Sequence, residues 1–465
     1  MTPEATPSPI VALLQQAAAA LETWARTHRR ATLAEHEQGV LRIFRRVIGP
    51  ALGAVLTSAL ELDQPVAKRV RAACEGCGRQ RQPHSWRKRN LLTVCGAVRF
   101  ERPYYYCGAC QQGRSPADET LGLGAYQALS AGCVEWLVLV GAVEPFRPAA
   151  ALLEELTGVG VGATTVRTHA EAVGGLLDIV RQQAAERVEA EREAAGPLDL
   201  AIGILVVQTD GLQLRYLDGW HEVKLGLVAG CEPGWPAPGT RPDQEHALVG
   251  PSYLATRLTA DAFGPLLLAE AARRGALEVV GWEHAPGAAP GDGPPALAVL
   301  REVIVLGDGA PWIWRLADEY FGARRVEILD WFHASEHLWT LGKALHGDGT
   351  PATAAWVQHA LDLLWDAGAR PLLALLDQTV AGTADAAEVL RVERGYCATN
   401  ATRMDYPAYR ARGLPIGSGA VESAAKHLVQ VRMKRAGMRW SFAGGQALLA
   451  LEAHLANDRP QLLAS

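Results

Sequence analysis

Apolar residues recur at helical spacing through LRIFRRVIGPALGAVLTSALEL, so residues 8 to about 62 are predicted to be helical, with Pro50 marking a kink or break. From about 70 to 115 the pattern changes. TVCGAVRFERPYYYC alternates and is rich in β-formers, which predicts short hairpins. Helix returns through about 194 and ends in the charged stretch RQQAAERVEAEREAAG, with Pro197 as a boundary. From about 199 strands and helices mix. AIGILVVQT reads as a buried strand, two further strands flank the hairpin dipeptide Asp218-Gly219, and a helix is expected near 259 to 274. REVIVLGD and ARRVEILD are strands separated by the helix PWIWRLADEYFG, whose Pro311 suits a first turn. Residues 334 to about 411 read as several helices, after which Gly417-Ser418-Gly419 opens a last helix or pair, with Ser418 as its expected cap. Two Pro/Gly-rich loops, CEPGWPAPGTRPDQ and HAPGAAPGDGPP, interrupt the mixed region.

A chain of 465 residues accommodates about three domains of ordinary size. Its net charge of −5 excludes a global polycation, so contact with nucleic acid would have to come from local patches. Two exist. Lys68 to Arg114 holds eleven Lys/Arg against Glu75 and Glu101, and Ser423 to Leu451 holds five Lys/Arg and no acid. Either could simply be a solvated charged face. The N-terminal stretch lacks a basic segment before its apolar residues and so does not read as a secretory signal, and no run reaches the length of a membrane span. Eight cysteines, four of them in two Cys-x-x-Cys pairs, point to a reducing compartment and to metal binding, so the expected location is cytoplasmic.

The pairs Cys74/Cys77 and Cys107/Cys110 can each form a knuckle presenting two thiolates, and together they suit a four-thiolate structural zinc site in a ribbon. Arg79, Arg81, Arg87, Lys88 and Arg89, interleaved with Trp86 and Tyr104 to Tyr106, would give that ribbon a surface for a DNA backbone or for stacking. PAAALLEELTGVGVGATTVRTHAEAVGGLL offers a helix, a glycine-rich turn and a second helix. Val166, Ala170, Val173 and Leu177 define a buried face there, and Arg167 points elsewhere. That is a helix-turn-helix candidate, although plain helical packing gives the same pattern.

Two strands end in Asp-Gly, at Asp210 and Asp308, and Glu422 lies downstream in GSGAVESAAKHLVQVRMKR. Each aspartate taken alone could be a solvated turn. Clustered carboxylates repel unless a cation neutralises them, so the three together suggest a Mg²⁺ or Mn²⁺ site for phosphoryl transfer. The order strand to Asp210, two strands, helix, strand to Asp308 fits a ribonuclease H-like core, with the Pro/Gly loops as insertions. Lys426, Arg432, Lys434, Arg435 and Arg439 follow the glutamate and could grip phosphates.

Asp210-Gly211, Asp308-Gly309, Asp330-Trp331-Phe332-His333 and Gly417 to Ser423 together resemble the catalytic half of bacterial DDE-type insertion-sequence transposases, of the ISKra group that is similar to Mutator-like elements. The Cys pairs and the helix-turn-helix candidate resemble that group's N-terminal half, so the likeness covers roughly 70 to 450. It implies a metal-binding triad of Asp210, Asp308 and Glu422, with Asp330 and His333 as auxiliary residues and a helical insertion before the glutamate. Asp330 also ends a strand and competes with Asp308 for the second position. The implied partners are double-stranded DNA, as terminal inverted repeats and target, and further copies of the chain on that DNA at the nucleoid.

The expected class is therefore an α+β multidomain protein. It has a helical region (1–68), a zinc-ribbon-like segment (69–118), a helical DNA-binding region (119–196), a ribonuclease H-like core (197–333), a helical insertion (334–411) and C-terminal core helices (412–465). Two alternatives stay open. His333-Ala334-Ser335-Glu336-His337 matches an H-x-x-E-H zinc-peptidase motif, with His333 and His337 as ligands and Glu336 as base. A non-catalytic, transposase-derived DNA-binding protein would keep the ribbon but has no use for three carboxylates.

Overall fold

A computed structural model describes residues 8–62, 70–191, 204–231, 248–274, 277–279, 298–300, 302–322 and 325–457. Pro197 and most of both Pro/Gly loops lie outside them. The chain is mixed α and β and divides into two compact units, 1–170 with 461–465, and 171–460. The division falls within the long helix α6, before the Pro197 boundary expected from sequence.

The first unit begins with helices α1 (Pro9–Thr27) and α2 (Leu33–Ala59), the latter opened by a Thr32/Glu35 capping box. Pro50 does not break α2 as expected. It lies on the exposed face, where losing one helical hydrogen bond is tolerated. The buried face carries Gly49 and Gly53, at which a Cβ would come within 2.4 and 2.7 Å of the carbonyl oxygens of Ala97 and Arg99, so the helix rests directly on backbone. That backbone belongs to a sheet of β3 (Ser85–Thr93), β4 (Gly96–Cys107) and β5 (Gln112–Arg114), preceded by the short pair β1 (Ala72–Ala73) and β2 (Gln80–Arg81). Leu91, Val98 and Phe100 pack against Leu52 and Leu56 of α2. Arg102, on the same inner face, forms a two-bond ion pair with Asp118 of α3 (Pro116–Thr120). Helices α4 (Ala131–Val143), α5 (Phe146–Thr157) and α6 (Ala163–Glu191) follow. The turn after α5 starts at Gly158 in the left-handed conformation, and Val166 and Ala170 are fully buried as the pattern predicted.

The second unit is built on a five-stranded sheet: β6 (Ile204–Tyr216), β7 (Gly219–Cys231), β8 (Leu248–Thr256), β11 (Val303–Gly307) and β12 (Arg325–Leu329). A short separate pair, β9 (Leu277–Val279) and β10 (Ala298–Leu300), falls between them in sequence. The spatial order is β12-β11-β6-β7-β8, with β6, β11 and β12 parallel and β7 and β8 antiparallel to their neighbours. β6 and β7 are longer than their apolar cores suggest. The ladder runs on to Tyr216↔Gly219, so Asp210-Gly211 lies inside a strand and not at a turn, while Asp218-Gly219 closes the hairpin as expected. β8 escaped sequence analysis because Pro251 interrupts it, which the edge position and a local register shift accommodate.

Helices α7 (Ala260–Arg273) and α8 (Pro311–Phe321) join the strands. Helices α9 (Trp331–His346), α10 (Pro351–Ala367), α11 (Ala369–Gln378), α12 (Ala384–Thr399) and α13 (Tyr406–Ala411) form the predicted helical block. Val303, Ile304, Val305, Leu306, Leu338 and Leu341 share one continuous core. The chain closes with α14 (Gly419–Ala424), a π-helical turn (Ala425–Gln430), α15 (Val431–Met433) and α16 (Phe442–Ala456). No described helix is long and apolar enough to cross a membrane.

Candidate metal centres

Among the described residues, two groups of three or more metal-ligating side chains bring their donor atoms within 4.8 Å of one another: Cys74, Cys77, Cys107 and Cys110 in the first unit, and Asp330, His333 and Glu422 in the second.

The cysteines sit on two matching turns. Each second cysteine is followed by a left-handed residue, Gly78 (φ 68°) after Cys77 and Gln111 (φ 54°) after Cys110, which curls the backbone so that amides face the sulfurs. The Sγ atoms of Cys77 and Cys107 are 3.8 Å apart, close to the roughly 3.8 Å edge of a tetrahedron with 2.3 Å Zn–S bonds. The Cys110 backbone amide, helped by the Arg81 guanidinium 3.1 Å from its sulfur, pulls the Cys107 thiol down to about 6. The Cys110 thiol, hydrogen-bonded to Cys77, is pushed up to about 12. Crowded thiols that share protons in this way are stabilised when a cation replaces those protons, and the group can hold a metal such as zinc.

In the second unit the parallel register brings the aspartates together. Thr209 lies beside Gly307, and Gly307 beside Leu329, so the residues that follow them, Asp210 within β6 and Asp308 and Asp330 just past the ends of β11 and β12, stand at one level on three adjacent strands. Strands are about 4.8 Å apart, so Asp308 stands between the other two. Each aspartate accepts from a backbone amide just ahead of it, Asp210 from Gly211 (2.7 Å), Asp308 from Ala310 (2.8 Å) and Asp330 from Phe332 (2.9 Å). Their surroundings differ. Asp210 and Asp308 are half-buried, whereas Asp330 has no exposed surface. Desolvation raises the Asp210 carboxyl above its ordinary range, with Asp308 and Glu422 adding repulsion and the Gly211 amide and His333 opposing them. Asp330 is paired instead: its Oδ2 faces His333 Nδ1 at 3.3 Å and accepts from the Ser418 hydroxyl. That hydrogen bond lifts the His333 imidazole to about 9.

Ser418 therefore does not cap α14 with its side chain, as expected from sequence; its hydroxyl is held by Asp330. The cap comes from Gln208, a residue sequence analysis missed. Its amide accepts from Val421 N (3.1 Å) and donates to Gly417 O (3.3 Å), pinning the turn before Glu422 to the strand that carries Asp210. The signal was a lone amide in the apolar run ILVVQT, 2% exposed in the folded chain. Glu422 is half-buried and lies within 3.5 Å of Ser418 Oγ.

Other predicted residues are placed elsewhere. His337 is one turn along α9 from His333, but its Nδ1 is 2.5 Å from Glu393 Oε2 and its ring stacks on Tyr396, so it is not part of the Asp330/His333/Glu422 group. Glu336 is exposed. Arg89 and Arg432, assigned to DNA from their charge, are 7% and 2% exposed. Arg89 shares the inner face of β3 with Leu91 and donates to the carbonyls of Gly124 and Ala125. Arg432 follows the π-helical turn, lies over the Trp440 ring and faces the core. Arg79, Arg87, Lys88, Arg167, Lys426, Lys434 and Arg439 are exposed, while Arg435 is partly buried against its own helix and Arg81 is committed to the thiolate site. Scanned against protein-family models and curated proteins, the chain matches none.

Proposed function

We propose that the chain is a DNA transposase of the DDE type, similar to the ISKra group, which cleaves and transfers strands at the ends of an insertion sequence. The observation that carries this reading is the alignment of Asp210, Asp308 and Asp330 at one level on adjacent parallel strands, with Glu422 brought beside Asp330 by a helix pinned to β6. The sheet order β8-β7-β6-β11-β12, three antiparallel strands followed by two parallel to the first, supports a ribonuclease H-like core. The second aspartate is better assigned to Asp308: it is a charge neighbour of Asp210, whereas Asp330 is fully buried and occupied by His333 and Ser418.

The oxygen donors suit a divalent cation, but of these side chains only Glu422 belongs to a group whose donor atoms lie within 4.8 Å of one another, with Asp330 and His333, so Asp210 and Asp308 would have to close on the ion as it binds. Asp210, Asp308 and Glu422 are half-buried oxygen donors, and the repulsion felt by Asp210 is what a hard cation relieves. When bound, Mg²⁺ or Mn²⁺ would supply Lewis acidity at the scissile phosphate and activate water or a 3′-hydroxyl. The rest falls to the protein. Asp330 and Ser418 fix His333, whose imidazolium offers a positive N–H beside the carboxylates to orient a phosphate oxygen. Exposed Lys426, Lys434 and Arg439 give the same region charge for the flanking backbone. The ribbon and the α5–α6 pair would bind the element ends, in a complex holding two of them.

The peptidase alternative has less support, because His337 is engaged by Glu393 and Tyr396. The test is cleavage of the chain's own terminal inverted repeats with Mg²⁺. Asp210→Ala, Asp308→Ala and Glu422→Ala should each abolish cleavage and leave DNA binding nearly intact; retained cleavage removes that residue from the triad.

A further inference from the structure

We infer that Tyr396, in the helical block, is a positioning residue for the carboxylate site, holding the Asp308-Gly309 turn from behind through its hydroxyl. The inference rests on the reading of Asp308 as a cation ligand. The Tyr396 hydroxyl donates to the Asp308 carbonyl at 2.7 Å. Its ring lies against Gly309, where φ is 98° and a Cβ would meet Tyr396 atoms at 2.9 Å, so the turn has no room for a side chain. The ring also stacks on His337, with centroids 3.6 Å apart and planes 22° from parallel. His337 is itself held by Glu393, a carboxylate 7% exposed on the same helix as Tyr396.

This chain of contacts has a specific consequence. Asp308 follows the last residue of β11, so beyond Gly307 the sheet ladder no longer fixes its backbone. The Ala310 amide sets the carboxylate, and Tyr396 sets the carbonyl of the same residue. With both, the peptide plane after Asp308 is fixed and the carboxylate is aimed. Without Tyr396 the glycine that follows is free to rotate that plane. His337, read from the H-x-x-E-H motif as a zinc ligand, thereby gains a different role, as the stacking partner of Tyr396.

The experiment is Mn²⁺ binding to the full, zinc-loaded chain, followed by electron paramagnetic resonance, for wild type, Tyr396→Phe and Asp308→Asn. The phenylalanine keeps the stack on His337 and removes only the hydroxyl. Loss of one hydrogen bond's net worth should weaken Mn²⁺ affinity about three- to ten-fold and slow cleavage by a similar factor, with KM for the DNA end unchanged. Thermal stability of Tyr396→Phe should stay near wild type, which separates positioning from a general loss of packing. Tyr396→Leu, which also removes the stack, should weaken Mn²⁺ further. Wild-type Mn²⁺ affinity in Tyr396→Phe overturns the inference while leaving the carboxylate reading intact. If wild type binds Mn²⁺ no better than Asp308→Asn, the reading of Asp308 fails and the inference with it.

Discussion

In the thiolate site all four donors come from two turns that shape themselves, each closed by a left-handed residue and each carrying both of its cysteines. The carboxylate site draws on residues 210 to 422, with three adjacent strands and two helices contributing. The two also differ in what surrounds the charge. β1 and β2 are two residues long and cannot hold the knuckles together, so the first site should depend on its metal for structure. Asp210, Asp308 and Asp330 stand on three strands about the fully buried β11, whose register sets their spacing before any cation arrives. Clustered anionic donors can thus be tolerated by folding around a metal or by being forced together by a core already formed.

The largest effect that separates the two concerns the metal itself. Cys107→Ser, or chelation of zinc, should unfold the ribbon, since structural zinc contributes on the order of 10 kcal/mol to such modules. Near-ultraviolet circular dichroism and limited proteolysis should show the loss confined to the segment from about 70 to 115, and a ribbon that survives complete zinc removal would erase the contrast. In the second unit, Asp210→Asn should cut strand cleavage by several orders of magnitude yet raise the melting temperature of the metal-free chain, because it removes the desolvation cost of a half-buried charge and, secondarily, its repulsion by Asp308 and Glu422. A fall in melting temperature would mean that the carboxylates are already compensated. Asp330→Ala should behave in the opposite sense. It strands His333 and Ser418 around a buried position and should cost about 3 kcal/mol in denaturant unfolding.

A smaller effect is a pH dependence. The His333 imidazole is raised from 6.5 to about 9, so its stabilisation in the metal-free chain is complete below the unfolded value and is lost as pH climbs through about 9. Melting curves between those limits should fall more steeply for wild type than for His333→Gln, and parallel curves would remove the Asp330–His333 pair as a source. Smallest is the contribution of single surface cations. Lys434→Ala should reduce the salt dependence of DNA binding by about one phosphate contact without affecting stability, whereas Arg432→Ala should lower stability because that side chain is buried.

The difference in legibility between the two sites has the same physical origin. The knuckles could be read because Cys-x-x-Cys is a local arrangement whose geometry the backbone turn sets. Arg89 could have been excluded from the DNA-binding surface by alternation, since it lies two residues before Leu91 on the inward face of β3. Arg432 could not: the π-helical turn from Ala425 to Gln430 widens the helix and rotates every later side chain relative to an α-helical count. Asp210 gave a turn signal and lies in a strand because β7 pairs along its whole length, a non-local interaction that outweighs the dipeptide's preference.

The sequence by itself determined most of the helical and strand segments and the four-cysteine group, because periodicity and short spacings act within a few residues of chain. Only the tertiary structure decided that Asp308 and Asp330 both stand level with Asp210, that Gln208 and not Ser418 caps the helix of Glu422, and that Tyr396 supports the Asp308 turn. Those relations depend on strand register and on which residue's hydrogen-bonding capacity is left over once the core has closed, and neither is encoded at any single position.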